Sequence, residues 1–266
     1  MPTDPPCDAS KKRVLESSAN KESPAKKARS DSDEAVPSFF DMMGLDMVDV
    51  YVGKGEKERQ FRVYEKVLRE KVPFFNAMFS SSFQESLEKK ASLPDDDPKT
   101  FDLLLTWVYT GKLHTFKWLL DGATFKANWE LLPLYKLADK LCSSSLMDQI
   151  TTQFIDACDE QGVTALPWLI RDIYTKLPDH ASLRKYSAHS LVYILHGMRR
   201  HGDCSTTWPS EELKDIMVES PGLILEYVEL VRKLPLGERA EDPADKDRCI
   251  FHQHALDAPC PAPSTR

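Results

Sequence analysis

No apolar run in this chain approaches the ~20 residues that a membrane-spanning helix needs. The N-terminus is polar where a signal peptide would carry an apolar stretch. Nor does any region combine concentrated basic charge with interleaved aromatics. With a formal net charge of −7, the chain lacks the basic surface that general phosphate binding requires. Cysteine is sparse for 266 residues: Cys7, Cys142, Cys158, Cys204, Cys249 and Cys260 are scattered and read as reduced thiols of the cytosol or nucleus, not as staples. Catalytic constellations are lacking too. Gly53-Lys54-Gly55 is a fragment of a phosphate loop without its full spacing. His114, His180, His189, His196 and His201 join no Ser-His-Asp or Cys-His signature, and no nucleophile elbow or carboxylate pair stands out. An enzyme is therefore the least supported reading. The expectation is a soluble nuclear or cytoplasmic protein that works by binding, without direct nucleic-acid or membrane contact.

A hydrophobic content of 41% leaves ample material for a core. It is unevenly spread. Residues 1–37 are rich in Ser, Lys, Pro and Asp, cannot bury enough surface to offset chain entropy, and are expected to be disordered. Val48, Val50 and Val52 then alternate with Asp49 and Tyr51, a strand with one apolar face. Residues 53–57 supply a turn, and Phe61 and Val63 resume the alternation as the second arm of a hairpin. Helical patterns follow over 65–71 and 73–79, and Ala91-Ser92-Leu93 reads as a short third strand. Asp97 is a good N-cap with Pro98 behind it. Phe101, Leu104, Leu105 and Val108 share one helical face, and Gly111 stands just past the end. From Trp129 the pattern is helical throughout, over 130–141, 146–159, 164–177, 182–196, 210–219 and 223–234. Phe74, Phe75, Met78, Phe79, Phe101, Leu104, Leu105 and Val108 are the expected core donors of the first half.

These blocks resemble the BTB/POZ family. The run Val48-Asp49-Val50-Tyr51-Val52-Gly53, then 61–68, then Pro73-Phe74-Phe75-Asn76-Ala77-Met78-Phe79, follows that family's order. Phe83-Gln84-Glu85-Ser86, 93–98, 101–111 and 134–141 continue it, and together they cover about a third of the chain. The likeness is greatest to fungal BTB proteins with a helical C-terminal extension. It implies an α+β fold: a small sheet with a hairpin, flanked by helices, over 46–113, followed by an all-helical extension over 124–236 and a flexible tail over 237–266. Tyr64 stands where the family usually has histidine, Glu65 where it often has lysine, and Val72 where serine is common. The corepressor pocket of some members is thereby put in doubt. The 39–46 segment is short for the helix through which many members form homodimers.

Three candidate sites follow. Family members that bind the cullin scaffold of ubiquitin ligases carry a hydrophobic-x-Glu triplet, and Phe83, Gln84 and Glu85 resemble it. The resemblance thus implies protein partners, with Phe83 as apolar anchor. The plainer alternative is that Phe83 belongs to its own core. Second, Cys249, His252, His254 and Cys260 place two thiols and two imidazoles within a few residues, enough for a structural zinc; no other cofactor is expected. His252 and His254 would point to opposite sides of a strand, so a turn must bring them together. Similar Cys/His-rich endings are a feature of the fungal relatives, but a coincidence in a disordered tail is the competing reading. Third, Lys11, Lys12, Arg13 and Lys26, Lys27, Arg29 form two basic clusters resembling a bipartite nuclear-import signal, or an ordinary charged tail. The leading functional expectation is an adaptor recruiting a target to a cullin ligase. The alternative is a nuclear, transcription-associated BTB protein. No kelch-like, MATH-like or ankyrin-like module names a target class.

Overall fold

In the computed structural model, the described residues are 38, 43–80, 84–121, 124–197, 208–254 and 259–261. The basic clusters at 11–13 and 26–29, and the tail expected over 1–37, lie outside them, as does Phe83.

Strand β1 (Met47–Val52) occupies the middle of a three-stranded sheet. It pairs antiparallel with β2 (Arg59–Tyr64), Val48 opposite Val63 and Val50 opposite Phe61. It pairs parallel with β3 (Lys90–Leu93), Val50 beside Ala91 and Val52 beside Leu93. Every one of these residues is buried, so the two-residue period read from the sequence is the period of the core face. The hairpin loop turns at Gly53, whose φ of +91° is left-handed. A Cβ there would also stand 2.9 Å from the Lys57 carbonyl oxygen, so glycine is needed twice over. A parallel partner requires a long crossover. It is supplied by α1 (Glu65–Lys71), α2 (Pro73–Ser80) and the short α3 (Gln84–Glu88).

Helix α4 (Pro98–Thr110) forms as its sequence dictates. The Asp97 side chain accepts from the Thr100 N–H at 3.0 Å, Pro98 takes the first turn, and Gly111 ends the helix at φ +70°. Its inner face delivers Phe101 between Phe61, 5.0 Å away, and Phe75, 6.4 Å away, in tilted and edge-on contacts. Phe74, Met78 and Leu105 pack against this cluster from its margin, only partly buried.

One element was not anticipated. Strands β4 (Trp118–Asp121) and β5 (Thr124–Ala127) form a second hairpin ahead of the helices. Leu119 and Leu120 are adjacent and both exposed, which breaks the alternation that reveals a strand. Helices α5 (Leu131–Lys140), α6 (Ser144–Glu160), α7 (Pro167–Lys176), α8 (Ser182–His196), α9 (Ser210–Glu219) and α10 (Pro221–Lys233) then follow, close to the expected ranges.

The first half and the extension share one core. A run of edge-to-face rings carries it across: Trp129 to Phe116 at 5.0 Å, Phe116 to Phe154 at 6.0 Å, Phe154 to Tyr186 at 5.6 Å, and Tyr186 to Phe251 at 5.3 Å. The last ring departs from expectation. Residues 243–254 are no flexible tail: Ala244, Arg248 and Phe251 are buried. This stretch holds two 3-10 turns, Pro243–Asp245 and Arg248–Phe251.

Phe101→Ala empties a wholly buried site and should cost about 3–5 kcal/mol in denaturant unfolding. Leu120→Ala, on the exposed hairpin strand, should stay within about 0.5 kcal/mol of the wild type.

Candidate metal centre and interaction surface

The C-terminal stretch is shaped locally by aspartates. Asp242 accepts from the Ala244 N–H and Asp247 from the Cys249 N–H, both at 2.9 Å, and each starts one of the 3-10 turns. Phe251 then drops into the core against Tyr186 and the His189 ring, 5.4 Å away.

What holds this stretch in place is one face of α6. Asp148, Thr152 and Asp156 recur every four residues and so line a single stripe. Asp148, wholly buried, accepts from the Gln253 N–H at 2.7 Å and the His254 N–H at 3.3 Å. Thr152 Oγ1 lies 2.8 Å from His252 Nε2. Asp156 accepts from Arg248 Nε at 3.0 Å, while Arg248 also donates to the carbonyls of Ala244 and Lys246. The segment thus runs antiparallel to α6 and is read by it over about 12 Å, eight residues at 1.5 Å each. Gln253 extends the grip to α5, donating to the Tyr135 hydroxyl at 3.2 Å. A charge buried this deeply is tolerable only when hydrogen-bonded, and each of these carboxylates is.

The four sequence-nominated ligands are brought together by this docking. The ligand atoms of Cys249, His252, His254 and Cys260 all lie within 4.8 Å of one another. The turn that the histidines require is present: His252 is extended directly after a 3-10 turn, His254 sits at a bend, and their ring centroids are 5.4 Å apart. The Thr152 bond commits His252 Nε2 and leaves Nδ1, 3.4 Å from Cys260 Sγ, as the donor atom. Burial holds His252 below its ordinary value, which favours the neutral, ligating imidazole. Desolvation, then the adjacent Cys260 thiol and the Asp247 carboxylate, push Cys249 up to about 11. That disfavours the Cys249 thiolate; a bound metal reverses it by stabilising the thiolate form. Two soft sulfurs and two imidazoles suit zinc-class ions and disfavour magnesium or calcium.

The remaining nominated residues lie elsewhere. Gln84 and Glu85 open α3 and are exposed, and Leu87 on the same helix is 80% exposed. Asp97 caps α4, while Asp95 pairs with Lys54 at 2.5 Å and Asp96 with Lys140 at 2.6 Å, so the acidic triplet is explained by its loop. Glu65 is buried against Lys89 at 2.6 Å and Arg69 at 3.0 Å. Burial opposes its ionisation, but hydrogen bonds from those two cations outweigh it and hold the carboxyl below its ordinary value. His180 and His189 line one groove with His252; His114 and His196 are not part of it, and His201 lies outside the described residues. The α6 stripe was missed by sequence reasoning: polar residues at four-residue spacing read as a solvent face.

Comparison with known families places this geometry. Residues 41–157 match the BTB/POZ domain family. They are a BTB/POZ domain. Kelch-like protein 38 of Homo sapiens is 33% identical over 112 residues, which is 39% of this chain but only 17% of that protein. The matched BTB span runs well past the 46–113 core expected and takes in β4, β5, α5 and nearly all of α6. Asp148, Thr152 and Asp156 are therefore BTB residues, and the C-terminal segment docks on the last helix of the BTB domain.

Arg248→Ala removes one partner of a pair in which Arg248 is only 4% exposed, and leaves the Asp156 carboxylate uncompensated. The expected loss is about 3–5 kcal/mol in denaturant unfolding, with part of it recovered when Asp156→Ala is added. His189 offers a pH test. Burial, with Lys246, Lys185 and Lys233 nearby, lowers it to about 4. A histidine so depressed contributes stability fully present above about pH 6.5 and lost progressively as pH falls towards 4. His189→Phe should flatten that part of the stability–pH curve.

Proposed function

We propose that this chain is a non-enzymatic adaptor whose BTB domain binds a cullin-type ubiquitin-ligase scaffold, while the helical extension holds a target. The observation that carries the reading is the surface at α3. Gln84, Glu85 and Leu87 stand exposed at the point where the BTB order of blocks places the hydrophobic-x-Glu triplet. An exposed apolar residue beside a carboxylate can serve as an interface anchor with a polar rim. Interaction without catalysis is the general character of the BTB family, and the clustered histidines and cysteines offer a closed ligand set instead of an open reactive one. Among the described residues no helix is long and apolar enough to cross a membrane. The two basic clusters at 11–13 and 26–29 support work in the nucleus as a second setting for the same adaptor chemistry.

Calorimetry with a purified cullin N-terminal domain tests the reading. The wild-type chain should bind at micromolar concentration or tighter. A Phe83→Ala, Glu85→Ala double variant with unchanged circular dichroism should lose at least about tenfold in affinity, or about 1.4 kcal/mol. A wild type that shows no heat at accessible concentrations would remove the cullin assignment.

A further inference from the structure

Phe251 anchors the segment that carries the donor cluster, yet all four donors are themselves only partly buried. Beyond Phe251, none of the described residues, 252–254 and 259–261, is buried. Cys260 nevertheless returns to within hydrogen-bonding range of His252, and bringing the two together costs chain entropy. The donor atoms of all four residues lie within 4.8 Å of one another, the spacing at which a shared metal ion would offset that cost. From this we infer that Cys249, His252, His254 and Cys260 bind one zinc-class divalent cation in a closed four-ligand site, and that the ion fastens the C-terminal segment to α6.

The surroundings fit that assignment. Metal–sulfur distances of about 2.3 Å and metal–nitrogen distances of about 2.0–2.1 Å put tetrahedral ligand atoms roughly 3.4–3.8 Å apart. Cys260 Sγ and His252 Nδ1 are already at 3.4 Å, and the widest separation, at most 4.8 Å, closes by side-chain rotation. The second shell is in place: Thr152 fixes the His252 ring through its other nitrogen, and Asp148 fixes the backbone on which His254 is carried. Four protein ligands leave no position for water or substrate, so the ion's work is structural. One ligand, His252, also lines a groove of about 600 Å³ between α8 and α10, and Ile250, Phe251, His252 and Gln253 form a wall of it. Holding the segment therefore also holds that wall.

The test uses the full chain, purified under reducing conditions and dialysed against metal-free buffer. Elemental analysis should find about one equivalent of zinc per chain, and cobalt added to the chelator-stripped protein should give the intense visible bands of a tetrahedral thiolate–imidazole site. A Cys249→Ser, Cys260→Ser double variant should lose the metal. It should keep its circular dichroism and its α3-dependent binding of a cullin domain, where the wild type shows such binding. Chelator should lower the melting temperature of the wild type and speed proteolysis within 243–254, with no effect on the variant. Zinc below about a tenth of an equivalent after supplementation, zinc retained by the double variant, or a wild type indifferent to chelator would each overturn the assignment.

Discussion

The arrangement turns on one helix used from two sides. The apolar face of α6, with Ile150, Phe154 and Ile155, closes the BTB core, while Asp148, Thr152 and Asp156 on another face hold the C-terminal segment. A helix that is apolar on one side and hydrogen-bonded on the other has no free surface to spare. Its polar stripe is set in geometry by the same packing that sets its apolar face. The segment is thus positioned by the BTB domain as firmly as the sheet is, although more than ninety residues of chain lie between Asp156 and Arg248.

The aromatic run gives this coupling its physical medium. Phe116, Phe154, Tyr186 and Phe251 come from the stretch before β4, from α6, from α8 and from the last 3-10 turn, and each ring meets the next edge-on. Close-packed interiors transmit displacement because they do not compress. A shift of Phe251 is felt at Tyr186 and from there on α6. The surface at α3 supplies none of these rings, so the scaffold binding proposed for it and the C-terminal segment can be altered separately.

Much of this was legible in the sequence, and the reasons are local. The valine alternation of β1, the Asp97-Pro98 start and Gly111 stop of α4, and the Phe101-Leu104-Val108 face each carry their own stereochemistry. The block order that resembles BTB domains needs only such signals. The four metal-ligand candidates were also readable, because cysteine and histidine at short spacing have few other uses. What was hidden depends on distant partners. Leu119 and Leu120 break the strand pattern of β4. Asp148, Thr152 and Asp156 look like a solvated face until Arg248, His252 and Gln253 return to meet them. The same blindness made 237–266 read as a free tail: Ile250-Phe251 is a short apolar pair in a stretch rich in charge and proline, and the pocket of Phe251 is built by Tyr186 and His189 from another helix.

Native-state hydrogen exchange resolved to single amides tests this coupling most directly. The amides of Gln253 and His254, bonded to the buried Asp148, should open only with α6 itself, at a free energy comparable to its central amides. Exchange of those two amides at the rate of an unstructured peptide, while α6 stays protected, would contradict the account and return the C-terminal segment to a free tail.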